Sequence, residues 1–419
     1  MTITEEAQAT AGAPDRPLRR NREFLLLWSG AAMSFLATRV TTVAYPLIVL
    51  WHTGSPLAMS VVSMATLLPL LLVQLPAGAL VDRWDRRRLM LCCEAGRLVA
   101  MGSVVLSLAA GRVSVAQLAA VAFVEASLAV VYRLAERGAV RNVVHPAHLP
   151  TALSQNEARG RGAGLLGQPG GVLLYSLGRW APFGFAAVGY LASLVTLLLI
   201  KKDFQGERPA AGERASLRRE VAEGMRWLWR QRFLRAALGF VAGSNVLFQM
   251  LALALILRIK EEGLPSATLA IVVGIGGVGG LLGALAGGWF QRRLRQRTLL
   301  IGGAAAWTVL IGSMCFTAQP VLLGALYAGT GFVGAVFNVA AAVYQVRTTP
   351  DALQGRVAAT AGLIGSGTNA LGAFIGGLLL AAWGAEPTVR AIAAAMAVLA
   401  LLALLAPDLK KERTDDRNH

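Results

Sequence analysis

Charged side chains set inside long apolar runs are where this 419-residue chain has the means to do chemistry. Glu125 stands near the middle of one such run. Glu136 follows eleven residues later, three helical turns on, so with Tyr132 it shares one face of a helix. Ionisable groups are costly in hydrocarbon and tend to mark ion or ligand pathways. A carboxyl withdrawn from water can exchange a proton near neutral pH. Glu125 is therefore a candidate for proton coupling, for holding a cationic ligand, or for both in competition, with Glu136 second. The plain alternative is a fixed ion pair, and a partner exists. Arg39 lies fifteen residues beyond Phe24 and Glu125 sixteen from Arg141, which puts both roughly 22–24 Å from one membrane face at 1.5 Å per residue.

Other polar groups sit within the spans, Glu94 and Arg97 near the inner end of the third. Glu94 and Arg97, three residues apart, can pair with each other or snorkel, and a structural role is expected for them. Arg133, Arg137 and Arg141 follow Glu125 on the same helix, within reach of Asp82 or Glu136. Asn245, Gln249 and Asn338 either line a cavity or bond between helices. Gly167-Gln168-Pro169-Gly170-Gly171 combines a helix-bending proline with glycines that let helices approach closely. Gly274-Ile-Gly276-Gly-Val-Gly279 has the spacing of a dinucleotide-binding loop, but that loop needs a preceding strand. With Gly283 and Gly287 continuing at every fourth residue, helix packing is the better reading.

The elements that must hold these groups are membrane helices. The chain is 55% hydrophobic and only 15% charged, with a mean hydropathy of +0.57. Apolar runs of about twenty residues, long enough to cross roughly 30 Å of hydrocarbon, recur throughout. Backbone groups must be satisfied within each run, so the runs are helices rather than strands. Twelve spans are predicted, near 24–50, 57–81, 89–110, 114–136, 160–177, 181–200, 234–257, 266–288, 298–317, 320–344, 357–383 and 388–406. Basic residues crowd the N-terminal stretch and alternate loops, which by the positive-inside rule places both termini in the cytoplasm. That placement, and attraction to anionic lipid, account for the net charge of +17 without nucleic acid. Cys92, Cys93 and Cys315 all fall in spans, so no disulfide framework or metal-ligand spacing is present.

Residues 1–22 and 408–419 are expected to be cytoplasmic tails, the first of them disordered and without a signal-peptide core. Six-helix bundles are expected over 23–200 and 233–407, with an amphipathic linker at 201–232 lying along the membrane surface. The bundles repeat: Gly78-Ala-Leu returns as Gly283-Ala-Leu, Gly167 to Gly171 as Gly372 to Gly377, and Pro146-Ala-His-Leu149 as Pro350-Asp-Ala-Leu353. Three landmarks at one offset, close to 205 residues, indicate duplication.

The loop Gly78-Ala-Leu-Val-Asp82-Arg83-Trp-Asp85-Arg86-Arg87 joins the second and third spans. Its glycine, aspartate and basic spacing resembles the signature of the major facilitator superfamily, with Asp85 where that signature usually has glycine. Further pieces resemble the drug:proton antiporters of the macrolide-efflux and enterobactin-exporter branch. These are Arg20-Asn-Arg22 with Phe24 and Trp28, Asn156-Glu-Ala-Arg159, Pro182-Phe183, Glu223-Gly-Met-Arg-Trp-Leu-Trp229 and Thr349-Pro-Asp-Ala-Leu-Gln-Gly-Arg-Val357.

The resemblance implies several things. Spans one and four would line a central cavity, so that Arg39 and Glu125 could meet. Gly78, Asp82, Arg83, Arg86 and Arg87 would form a conformational switch, with Asp82 meeting the start of span eleven near Arg356. The glycine-proline stretch of span five, here carrying the inserted Gln168, would seal the two halves. The branch's acidic residue in span one is replaced by Ala37-Thr38-Arg39, and the one after Pro182-Phe183 by Ala186, which shifts any coupling role to Glu125 and Glu136.

No phosphate loop ending in Gly-Lys-Ser/Thr, no zinc-binding His-Glu-x-x-His and no serine nucleophile elbow occurs, so no enzymatic activity and no cofactor is expected. The expected function is secondary active export of amphiphilic small molecules of the drug, antibiotic or siderophore class, by alternating access and in exchange for protons. Nutrient uptake by the same fold and a non-transporting membrane sensor are the alternatives. The expected partners are a small-molecule substrate, protons and the lipids of the cell membrane, with the chain a monomer.

Overall fold

In a computed structural model, residues 18–201, 204, 217–350 and 353–405 are described. Among these residues every regular element is a helix. Residues 1–17 and 408–419 of the expected tails, 202–203 and 205–216 of the expected linker, and 351–352 and 406–407 of the expected second bundle lie outside them. The described part begins with a single 3-10 turn, Leu18–Arg20, in which Leu18 is buried.

A helix occupies each predicted span. In the first half these are α1 (Arg22–Thr53), α2a (Pro56–Leu72) with α2b (Gln74–Arg83), α3 (Arg86–Ala109), α4 (Val115–Val143), α5 (Leu149–Leu177) and α6 (Ala181–Leu199). In the second they are α7 (Arg232–Glu261), α8 (Thr268–Arg293), α9 (Gln296–Met314), α10 (Pro320–Thr348), α11 (Gln354–Trp383) and α12 (Ala385–Leu405). A linker helix, Leu217–Arg230, separates the halves. Ten helices are long and apolar enough to cross a membrane, and α2a with α2b makes an eleventh despite a 52° bend. Pro76 explains the bend: its ring is incompatible with a helical carbonyl at Leu72, where α2a stops. Helix α5 falls outside that set because charged residues fill its first half and glycines with Gln168 and Pro169 lower the hydropathy of its second.

Local chemistry sets several helix starts. Asn21 caps α1 by accepting the Phe24 N–H at 3.1 Å, and its amide reaches Val143 of α4. Asp85, where the superfamily signature has glycine, caps α3 by accepting the Arg88 N–H at 2.8 Å.

The glycine landmarks do the same work in both halves. A Cβ on Gly171 would come within 3.1 Å of the Val40 Cα of α1, and one on Gly376 within 3.1 Å of the Met250 Cα of α7. Helix α5 thus lies against α1 as α11 lies against α7, the pseudo-symmetry expected of duplicated bundles. Across the halves, the Pro169 ring of α5 faces Gly274 of α8, and α11 runs along α2a. The Gly276-to-Gly287 stripe seats α8 on α10, since Cβ atoms at Gly279 and Gly283 would overlap the backbone of Ala328 and Phe332. Large apolar side chains such as Val99, Leu106, Leu166 and Phe316 cover the perimeter, as a lipid-facing surface requires.

The halves are tied at one end of the molecule. Lys260 of α7 donates to the Leu50 carbonyl of α1 at 2.6 Å, and Gly377 of α11 is packed directly on Ser60 of α2a. This is the end opposite the linker.

Candidate functional site

Three ionisable side chains meet in the interior of the first half: Glu94 and Arg97 of α3 and Glu125 of α4, each 3% exposed or less. Arg97 lies 3.3 Å from Glu94 and 3.5 Å from Glu125, so one guanidinium serves two carboxylates. The hydroxyls of α1 complete the shell. Ser34 donates to Glu94 at 2.7 Å, Thr38 accepts from Arg97, and Thr41 stands 3.4 Å from both Glu125 oxygens. From α6, Tyr190 donates to Glu125 at 2.5 Å while its ring lies under the Arg97 guanidinium at 3.9 Å. The second oxygen of Glu94 is buried without a hydrogen bond among the described residues.

This arrangement corrects the expected pairing of Glu125 with Arg39. Arg39 is at the right depth but on another side of α1. Ser34, Thr38, Thr41 and Tyr45 share the face turned to the acid cluster, and Arg39 points away from it, an exposed residue whose stem packs on Gly167. Arg97, expected only to pair locally, takes the place assigned to Arg39. Glu136 is a separate and simpler case. Arg159 of α5 bonds it at 3.0 Å and Asn156 at 3.4 Å, one cation for one carboxylate. Arg133, Arg137 and Arg141 therefore meet neither Glu136 nor Asp82.

A cavity of about 300 Å³ lies between the two halves. Its polar wall is Thr42 of α1, Ser63 and Thr66 of α2a, Gln168 of α5, Gln249 of α7 and Asn369 of α11. Phe248, Leu253, Ile256 and Tyr327 supply much of the apolar remainder. Of the three polar candidates, only Gln249 lines it. Asn245 is one helical turn from Gln249 on the same face, and Asn338 three turns from Tyr327 on its face, both displaced toward the linker end. Pro46, also on the wall, cannot donate to the Thr42 carbonyl and leaves that acceptor free inside the bundle. Within the span-five motif, Gly167 and Gly171 seat α5 on α1, Gln168 enters the cavity, Pro169 faces α8, and Gly170 meets no close neighbour.

Arg86 reaches the carbonyls of Gly138 and Phe204 at 3.4 Å, and Arg87 that of Leu198 at 3.2 Å. Asp82 and Arg83 are exposed, and space around Gly78 is open. The structure does not bring Asp82 to Arg356, which instead pairs with Glu223 of the linker helix at 2.7 Å. Thr42, Gln168 and Asn369 are the site residues that spacing did not single out as cavity lining, since each is one polar residue among many in its helix.

Comparison with known proteins gives one consistent picture. The profile of a family described as transmembrane secretion effectors matches residues 13–419. The multidrug efflux pump Tap of Mycolicibacterium fortuitum is 27% identical over 395 residues, 92% of this chain and 96% of that one. An uncharacterised transporter of the major facilitator type from Bacillus subtilis, YfiS, is 26% identical over 389 residues, 88% of this chain and 89% of that one. Among solved structures, the nucleoside transporter NupG superposes with a TM-score of 0.71 at 13% identity, over 93% of this chain and 99% of that chain. A bacterial homologue of the human lysosomal transporter Spinster, inward-facing and unoccupied, gives 0.71 at 14% identity, over 94% and 98%. At these identities the structures speak for the fold alone.

Proposed function

The chain belongs to the transmembrane secretion effector family of the major facilitator superfamily, and we propose that it exports amphiphilic small molecules of the drug class by alternating access, in exchange for protons. Its relatives named as multidrug efflux pumps support the direction and the class of cargo. The observation that carries the proton step is a count of charges. Two buried carboxylates, Glu94 and Glu125, share the single guanidinium of Arg97. With both ionised, one negative charge is left over in a buried site, so the pair retains a proton that belongs to both acids together. Glu136, already neutralised by Arg159, is the weaker candidate.

The cargo occupies the cavity between the halves, with apolar walls for its body and Thr42, Gln168, Gln249 and Asn369 to orient it. Ties near Leu50 and Ser60 close one end, so the cavity is reached from the linker side. Twelve spans with both termini cytoplasmic make that side the inner one, and the chain works as a monomer in the cell membrane. Bundles over 23–200 and 233–407 rock about the cavity, and Asp82, Arg83, Arg86 and Arg87 engage α11 when the inner side shuts.

Proton release from the purified protein on adding a lipophilic drug tests the coupling. Wild type is expected to release protons and Glu125→Gln to release fewer, with Glu94→Gln behaving alike. Equal release by wild type and both variants would move the coupling elsewhere. Drug flux without any proton release would replace antiport by uptake or facilitated diffusion.

A further inference from the structure

Among the described residues, three arginines of the packed helices α1 and α4 have no counter-ion. Arg39 of α1 and Arg133 and Arg137 of α4 come close enough that Arg133 lies in the repulsive field of the other two. Arg133 and Arg137 also stand four residues apart, a spacing at which like charges on a helix destabilise it. The three buried carboxylates of the first half are already committed. Glu94 and Glu125 are held by Arg97, and Glu136 by Arg159. Among the described residues none of the three arginines has a carboxylate partner. Arg133 is half-buried and the other two are exposed. Unneutralised cations at membrane depth are costly, and the fold keeps three together.

Their place relative to the cavity is set by helix geometry. Thr42, Val43 and Pro46 line the cavity, and Arg39 precedes them by three, four and seven residues, which puts it on the same face one turn nearer the linker end. Its stem lies against Gly167, next to the cavity residue Gln168. Among the described residues the cavity wall carries no charged side chain of its own. Arg39 is thus the charge at its mouth, with Arg133 on the α4 helix packed against α1, and guanidinium forks suit carboxylate and phosphate oxygens.

We infer that Arg39, with Arg133 beside it, receives the anionic head of an amphiphile, a carboxylate or phosphate, whose apolar body fills the cavity between the halves. This deepens the export reading by giving its cargo an acidic group, and it rests on that reading for the cargo's passage. The acid cluster at Glu125 then carries protons and does not touch the cargo.

The test uses the full-length protein in nanodiscs of neutral phosphatidylcholine. The probes are dansyl-aminoundecanoic acid and its methyl ester, with binding read as dansyl emission above that of empty discs. The wild type is expected to prefer the acid by about ten-fold or more, the range of a charge-assisted hydrogen bond. Arg39→Gln and Arg133→Gln should each erode that preference while leaving ester affinity unchanged, and Arg133→Lys should retain most of it. Equal affinity for acid and ester in wild type, or a preference surviving in both glutamine variants, would overturn the inference. Discs doped with phosphatidylglycerol separate the two sources of the anion. Weaker acid binding in doped discs, for wild type but not Arg133→Gln, would assign the site to a lipid headgroup, and unchanged binding would assign it to the free amphiphile. Proteoliposome flux keeps the two readings apart. Ester exported without acid preference defeats only the anion site, while acid bound but no probe exported defeats only the export reading.

Discussion

Replacing Arg97 with methionine keeps most of the side-chain bulk and removes the one charge on which the acid cluster depends. Arg97 is 1% exposed, lies 3.3 and 3.5 Å from two carboxylates, and covers the Tyr190 ring. At an effective dielectric constant of about 20, a unit pair at that separation attracts by roughly 5 kcal/mol, from which the desolvation of both ions must be subtracted. Stranding a buried charge by removing its partner typically costs about 3–5 kcal/mol, and that is the loss expected for Arg97→Met. The assay is unfolding of the purified protein by sodium dodecyl sulfate in mixed micelles. Glu125→Gln alone should cost at most about 1 kcal/mol, because Tyr190 and Thr41 can still donate to the amide oxygen and Arg97 keeps Glu94. Adding Glu94→Gln and Glu125→Gln to Arg97→Met should recover most of the loss by removing the stranded acids. A triple variant no more stable than Arg97→Met, or an Arg97→Met protein within about 1 kcal/mol of wild type, would refute the charge count.

Three further outcomes follow from the packing and the loop. Gly283→Leu should destabilise by the upper part of the roughly 1–3 kcal/mol usual for overpacking, because the obstruction is Phe332 backbone that cannot swing aside; unfolding in mixed micelles measures it. Gly377→Leu should wedge α11 away from α2a at Ser60 and abolish dye export while the protein remains folded, with a cysteine placed at Ser60 becoming faster to alkylate; unchanged export would show that this contact need not close. Asp82→Asn should slow dye efflux from expressing cells at unchanged membrane abundance, and normal efflux would remove Asp82 from the switch.

Much of the fold was legible because hydrocarbon leaves a chain few options. Apolar runs of membrane length had to be helices, and landmarks recurring at one offset, near 205 residues, had to reflect a duplicated packing plan, which Gly171 on α1 and Gly376 on α7 display. The glycine run of α8 was readable as a packing stripe from its four-residue spacing alone. Depth was legible too, since residue counts convert directly to distance along a helix axis. Azimuth was not. Arg39 and Glu125 are at one level, but an α-helix turns about 100° per residue, and only the packed neighbours decide which residue of Thr38 and Arg39 faces the acid. Arg97 was hidden for the same reason, because a local partner three residues away gave no sign of a second one on α4. Asp85 looked like a departure from a signature and proves to be a helix cap, a role invisible until the helix start is fixed.

Helix α1 emerges as the element common to both sites. Ser34, Thr38 and Thr41 turn toward the acid cluster, whereas Arg39, Thr42, Val43 and Pro46 turn toward the cavity and its mouth, about a third of a turn round the axis. On the proton-exchange reading, loading or unloading a proton on Glu94 and Glu125 changes how strongly Arg97 is drawn to each acid, and Arg97 is bonded to Ser34 and Thr38. A shift in that guanidinium is therefore felt on the backbone turn that carries Arg39. Glycines at 167 and 171 leave α1 and α5 in direct contact along that turn, without side chains between them to absorb a small displacement. Coupling in this chain then needs no shared residue for proton and cargo, only one stiff helix with a different task on each of two faces.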